Sequence, residues 1–109
     1  MRVLLNQGNG TFAPAVAYAA GVNTLSIAAA DFNGDGKPDL VATNYFTTTE
    51  VSVLLNQGDG TFAAAIAYTS GSDSYGITAA DLDGDGRPDL AVANYTTNNV
   101  SILLNTCLP

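Results

Sequence analysis

The chain has 109 residues, the length of one small domain or of a piece of a larger one, and 47% of them are apolar, so a packed core is possible. Ten acidic residues against three basic ones leave a net charge of −7. No basic patch is present to meet phosphates, which makes nucleic acid a poor partner.

In chain order, residues 1–5 predict a short strand, and Asn9-Gly10 after it signals a tight hairpin, since glycine takes positive φ at little steric cost. Residues 12–18 follow with period two: Phe12, Pro14, Val16 and Tyr18 share one face and alanines fill the other. Pro14 cannot donate to a ladder, so this strand is expected at a sheet edge. Residues 25–30 predict a strand of mostly small side chains, suited to a crowded place where sheets converge. An acidic segment, 31–39, separates it from a mostly apolar strand at 40–44 that is expected to be buried on both faces.

The same series then returns. Leu4-Leu5-Asn6-Gln7-Gly8 recurs as Leu54-Leu55-Asn56-Gln57-Gly58, and Asn44-Tyr45 recurs as Asn94-Tyr95. Strands at 51–55, 62–68, 75–80, 90–94 and 100–104 complete the set. The offset is fifty residues until Val51-Ser52-Val53-Leu54-Leu55-Asn56 returns forty-nine later as Val100-Ser101-Ile102-Leu103-Leu104-Asn105. The missing residue falls in the segment 46–50, where a loop absorbs it. The organisation is therefore a repeat at 1–50, a second at 51–99, and an extra strand with a tail at 100–109. Lettering the strands of one repeat a to d, with a just before the acidic segment, the chain runs c-d, a-b-c-d, a-b-c. Nine short antiparallel strands, four per repeat and without a convincing helix, predict an all-β chain of β-propeller blades, about two per chain.

The acidic segments carry the chemistry. DFNGDGKPDL from Asp31 and DLDGDGRPDL from Asp81 hold seven of the ten acids in two windows of nine residues. Oxygen-bearing side chains stand at positions 1, 3, 5 and 9: Asp31, Asn33, Asp35 and Asp39, then Asp81, Asp83, Asp85 and Asp89. Position 7 is Lys37 or Arg87, which can offer only a backbone carbonyl. Glycines at positions 4 and 6 permit the curl that turns every second residue inward. Calcium takes six to eight hard oxygens, a number that four side chains, one carbonyl and water supply. Magnesium holds its own water more firmly, and zinc would want His or Cys. Two calcium ions per chain are expected, which would take the formal charge from −7 to −3. A helix–loop–helix calcium hand needs Glu at position 12, and here that position is Ala42 or Val92. Pro38 and Pro88 also discourage a helix leaving the loop.

These segments, followed by VATNY or AVANY and then VSVLLNQGDGTF, resemble the FG-GAP/VCBS repeats of integrin-α-like β-propellers over essentially the whole chain. The resemblance implies calcium held in the loop between the first two strands of a blade. It places the ligands at Asp31, Asn33, Asp35, the Lys37 carbonyl and Asp39, and at Asp81, Asp83, Asp85, the Arg87 carbonyl and Asp89. It also implies an extracellular or cell-surface location. Family propellers have about seven blades, so two blades imply self-association into a closed ring, three copies giving six blades and four giving eight, or a longer parent chain.

The function expected is a calcium-stabilised structural or protein-interaction module of the adhesion type. A carbohydrate-binding propeller with sugar sites between blades is the alternative, with Tyr18, Tyr45, Tyr68, Tyr75 and Tyr95 as stacking surfaces. No enzyme is expected, because there is no His and the clustered carboxylates already have a role as ligands. Cys107, the single cysteine, is expected to be passive, since nothing in the sequence activates it. Neither a signal peptide nor a membrane span is expected from the opening residues or from any apolar run.

Overall fold

A computed structural model describes residues 1–21, 23–45 and 49–106. Residues 46–48 of the segment expected to absorb the missing residue, and Cys107, lie outside the described residues. The described residues form nine strands and no helix: β1 Arg2–Val3, β2 Val16–Ala17, β3 Thr24–Ala30, β4 Asp39–Asn44, β5 Glu50–Leu54, β6 Ile66–Thr69, β7 Ser74–Ala80, β8 Asp89–Asn94 and β9 Asn99–Leu103. They pair into three antiparallel sheets, β1-β2, β3-β4-β5-β6 and β7-β8-β9, each strand beside its neighbour in sequence. This is the c-d, a-b-c-d, a-b-c order of propeller blades.

Repetition reaches down to the register. Arg2 faces Ala17 and Val3 faces Val16, as Ser52 faces Ala67 and Val53 faces Ile66 fifty residues on. The expected strand at 12–18 is much shorter than its alternation suggests. Phe12 makes only an isolated bridge to Asn6, Pro14 lies outside any strand, and regular pairing begins at Val16. From Val3 to Asn6 is three steps, whereas from Val16 to Phe12 is four. One extra residue on the returning strand therefore breaks the ladder, as a bulge does. The copy behaves alike between Phe62 and Ile66.

Burial follows the layering. In β4 all but one residue is buried, consistent with sheets on either side, while β3 alternates half-buried with exposed. One core cluster, Val41, Val51, Val53, Leu90 and Val92, joins the two larger sheets and takes Phe32, Ala28 and Ile77 against its margin. A second, Ala20, Ala42 and Leu54, joins the β1-β2 sheet to the middle one, with Tyr18 meeting Phe62 edge-on at 5.6 Å. The small-residue strands β3 and β7 run side by side. Thr43 Oγ1 donates across this seam to the Tyr75 carbonyl at 3.0 Å. Asn44 and Asn94 fill the ends of β4 and β8, so close to Gly21 and Gly71 that a Cβ on Gly71 would stand 2.6 Å from the Asn94 amide. With the a strands of successive sheets adjacent and a core between each pair of sheets, the acidic segments, which join a to b, fall at the same end of neighbouring blades.

Candidate metal centre

Each acidic loop is folded by its own carboxylates. At position 1, Asp31 Oδ1 accepts from the Gly34 N–H at 2.9 Å and the Asp35 N–H at 3.2 Å, and its Oδ2 accepts from Gly36 at 2.7 Å. Asp81 does the same with Gly84, Asp85 and Gly86 at 2.8, 3.2 and 2.8 Å. Asn33 and Asp83 Oδ1 share the Asp35 and Asp85 N–H groups at 3.4 and 3.3 Å, and Asp35 and Asp85 Oδ1 receive those of Lys37 and Arg87. Successive N–H groups can turn inward in this way only if the backbone visits the left-handed region, which Gly34, Gly36, Gly84 and Gly86 do at φ of 76–85°. Nothing lies within 4 Å of a Cβ built on any of the four, so the demand for glycine there is one of backbone angle and not of space.

The ninth position is different in kind. Asp39 and Asp89 are fully buried at the start of β4 and β8. Asp39 Oδ2 accepts from Phe32 N–H at 2.9 Å and Oδ1 from Asn56 N–H at 2.8 Å. Asp89 repeats this with Leu82 at 2.8 Å and Asn105 at 2.7 Å. These carboxylates therefore join the loop to the end of strand c. Sequence reasoning read them as ligands and did not find their partners. The signal was there in Asn6, Asn56 and Asn105, each standing at the end of a Leu-Leu-Asn run.

The hydrogen bonds set the electrostatics. The Gly36 N–H foremost holds the Asp31 carboxyl below the usual aspartate range, the Gly86 N–H does so for Asp81, and the Asn105 N–H for Asp89. Asp83 moves the other way: loss of solvent pushes it up, and the neighbouring Asp85 adds to the effect. Arg87 Nε stands 3.7 Å from Asp85 Oδ2 at the exposed rim, an ion pair of small worth. The Lys37 stem lies against Gly58 of the following hairpin.

In the second loop, one carboxylate oxygen from each of Asp81, Asp83, Asp85 and Asp89 lies within 4.8 Å of the others. Oxygens on opposite sides of a calcium ion stand roughly 4.6–5.2 Å apart. The donor set is all hard oxygen and of a size that suits such an ion. Among the described residues, Asp31, Asp35 and Asp39 of the first loop form no such group; there the fourth oxygen-bearing side chain is the neutral Asn33. The two loops face each other across a cleft of about 580 Å³ lined by Asp31, Phe32, Asn33 and Gly34 on one side and Gly86, Arg87 and Pro88 on the other. No helix among the described residues is long and apolar enough to cross a membrane.

The family model of the FG-GAP-like repeat matches residues 1–42 and again residues 31–92. Comparison with curated proteins and with solved structures gave no match. The repeat model spans most of the sequence, and its two matches overlap across the first acidic loop. The strands either side of that loop, β3 and β4, pair antiparallel in one sheet, as β7 and β8 do around the second loop, and the chain belongs to the FG-GAP-like repeat family.

Proposed function

We propose that the chain is a calcium-binding, non-catalytic propeller module with a structural or protein-interaction role of the adhesion type, working outside the cell. One ion would be held by Asp31, Asn33, Asp35, the Lys37 carbonyl and Asp39. The other would be held by Asp81, Asp83, Asp85, the Arg87 carbonyl and Asp89. The observation that carries this is the convergence of four carboxylates in the second loop, which repel one another in the absence of a cation. An ion there offsets the repulsion and fixes the turn between strands a and b, which is its contribution to the blade. For sites with dissociation constants near 10⁻⁴ M, millimolar calcium adds about 1.4 kcal/mol of stability per site.

The ring is completed by further blades, from copies of the chain or from a longer parent. β9 is the outer strand of its sheet, and its Val100 and Ile102 are 61% and 52% exposed. The test is a thermal melt with calcium and with chelator, paired with calorimetric titration. Calcium should raise the melting temperature and bind at two sites. An identical melt under both conditions, with no heat of binding at millimolar calcium, refutes the reading.

A glycan-binding role is the second reading, favoured by the row Tyr45, Tyr75 and Tyr95. Their successive ring centroids stand 6.0 and 5.9 Å apart, and Tyr75 and Tyr95 are more than half exposed. Stacking on sugar rings uses such faces. A glycan array decides it, since binding that survives Tyr95→Ala would exclude this row as the sugar platform.

A further inference from the structure

We propose that Asn33 is a self-modification site: its side chain loses ammonia by reaction with the Gly34 nitrogen, which gives the first acidic loop a fourth carboxylate. The modification stands on its own residues, and its consequence for cation binding rests on the calcium reading above.

Of the asparagines in the chain, only Asn9 and Asn33 precede a glycine. Both stand where the second repeat has Asp-Gly, at Asp59-Gly60 and Asp83-Gly84. The fold treats amide and acid alike at these places. Asn33 Oδ1 accepts the Asp35 N–H at 3.4 Å, and Asp83 Oδ1 accepts the Asp85 N–H at 3.3 Å. Asn9 and Asp59 Oδ1 accept the N–H groups of Thr11 and Thr61 at 3.1 and 3.0 Å. An aspartate made at Asn33 therefore enters a loop whose copy already carries one, and in that copy four carboxylates converge within 4.8 Å.

Attack of the Gly34 nitrogen on Asn33 Cγ forms a C–N bond and closes a cyclic imide. The nitrogen gives up its proton, the Cγ–Nδ2 bond breaks, and Nδ2 leaves as ammonia. Water then opens the ring. Opening at Cγ leaves aspartate on an unchanged main chain, whereas opening at the main-chain carbonyl carries the chain through the side chain as isoaspartate. Either product adds one negative charge and takes the net charge from −7 to −8.

Three features favour the reaction. Asn33 and Gly34 are exposed, so water reaches the ring. Nothing lies within 4 Å of a Cβ built on Gly34, so its nitrogen can turn onto Cγ without a clash. The Asp35 N–H stands beside the oxygen that becomes an oxyanion during the attack. One feature opposes it: the Gly34 N–H is held by Asp31 Oδ1 at 2.9 Å, and that bond must break first. Among the described residues the Gly10 N–H meets no acceptor, so Asn33 should react about tenfold more slowly than Asn9.

The experiment incubates the full chain with chelator in mildly alkaline heavy-oxygen water and follows each asparagine by peptide-mapping mass spectrometry. Asn9 and Asn33 should both become labelled acids, in that order, and no other asparagine should. Asn33→Gln, which would have to close a larger ring, should stay unmodified at that position. Labelled Asn9 beside an intact Asn33 amide overturns the proposal, as does a chain with neither converted, and both results spare the calcium reading. Calorimetric titration with calcium chloride then compares wild type with Asn33→Asp, which reproduces the aspartate product alone. The first site should bind about tenfold more tightly in the variant, since affinity follows the charge of the ligand set. Equal affinity overturns the consequence for binding. No uptake of calcium by either protein overturns the calcium reading and that consequence together, and the labelling still decides the modification.

Discussion

Asp39 and Asp35 are both acids of the first loop, and their replacement by alanine separates scaffold from ligand. Asp39 is fully buried, and its two oxygens receive the N–H groups of Phe32 and Asn56 at 2.9 and 2.8 Å. Alanine leaves both donors without an acceptor in a partly buried place. Each unpaired amide costs about 1–2 kcal/mol, so Asp39→Ala should lose about 3 kcal/mol. Asp35 lies at the surface and receives only the Lys37 N–H, which water can replace, so Asp35→Ala should stay within about 0.5 kcal/mol in chelator. The assay is urea unfolding in chelator, where no ion contributes to either variant. For a domain of this size, about 3 kcal/mol corresponds to a fall in melting temperature of roughly 10–15 °C. In calcium, by contrast, both variants should have lost the stabilisation that belongs to the first site. Equal stability of the two variants in chelator would refute the reasoning, because the ninth aspartate would then be a ligand and nothing more.

Other expectations follow from the same geometry. Asp85→Ala should abolish the calcium-induced rise in stability attributable to the second site, read as one fewer ion in a titration. Acid should destabilise the calcium-free protein. Asp31, Asp81 and Asp89 titrate lower when folded, because backbone N–H groups favour their charged forms, so their contribution is complete above the ordinary aspartate value of about 4 and is lost as pH falls through their folded values. Asp83 contributes with the opposite sign, its raised folded value favouring the blade at low pH, but it is one group against three. The urea midpoint in chelator should therefore fall between pH 6 and pH 3, and a rise would contradict this. Two glycines give a paired test by the same unfolding assay. Gly71→Ala meets the buried Asn94 amide at 2.6 Å and should cost about 1–3 kcal/mol, whereas Gly76→Ala in β7 meets nothing within 4 Å and should be neutral or stabilising by up to about 1 kcal/mol.

The repeat makes the strand order legible in the sequence. Identical residues at a fixed offset must take equivalent places, and alternation over five to seven residues has few other meanings. Positions 1, 3, 5 and 9 of the acidic loops were legible for a similar reason: oxygen side chains spaced by two along a glycine-bent chain define a local geometry. Alternation failed at residues 12–18, because an extra residue between the Phe12 bridge and the Val16 pairing breaks the ladder against β1. Register is a relation between two strands, and one strand's pattern does not contain it.

Distance along the chain hides the rest. That Asp39 is buried beneath Asn56 follows from strand c lying beside strand b, so the ninth aspartate reads as a ligand in sequence and as an anchor in space. Asn56 and Asn105 look alike in their Leu-Leu-Asn runs, yet one amide closes its own loop and the other reaches Phe32, seventy-three residues away, in the neighbouring blade. Short-range spacing sets which atoms a loop can offer. Packing of one sheet against the next sets which backbone group each asparagine meets.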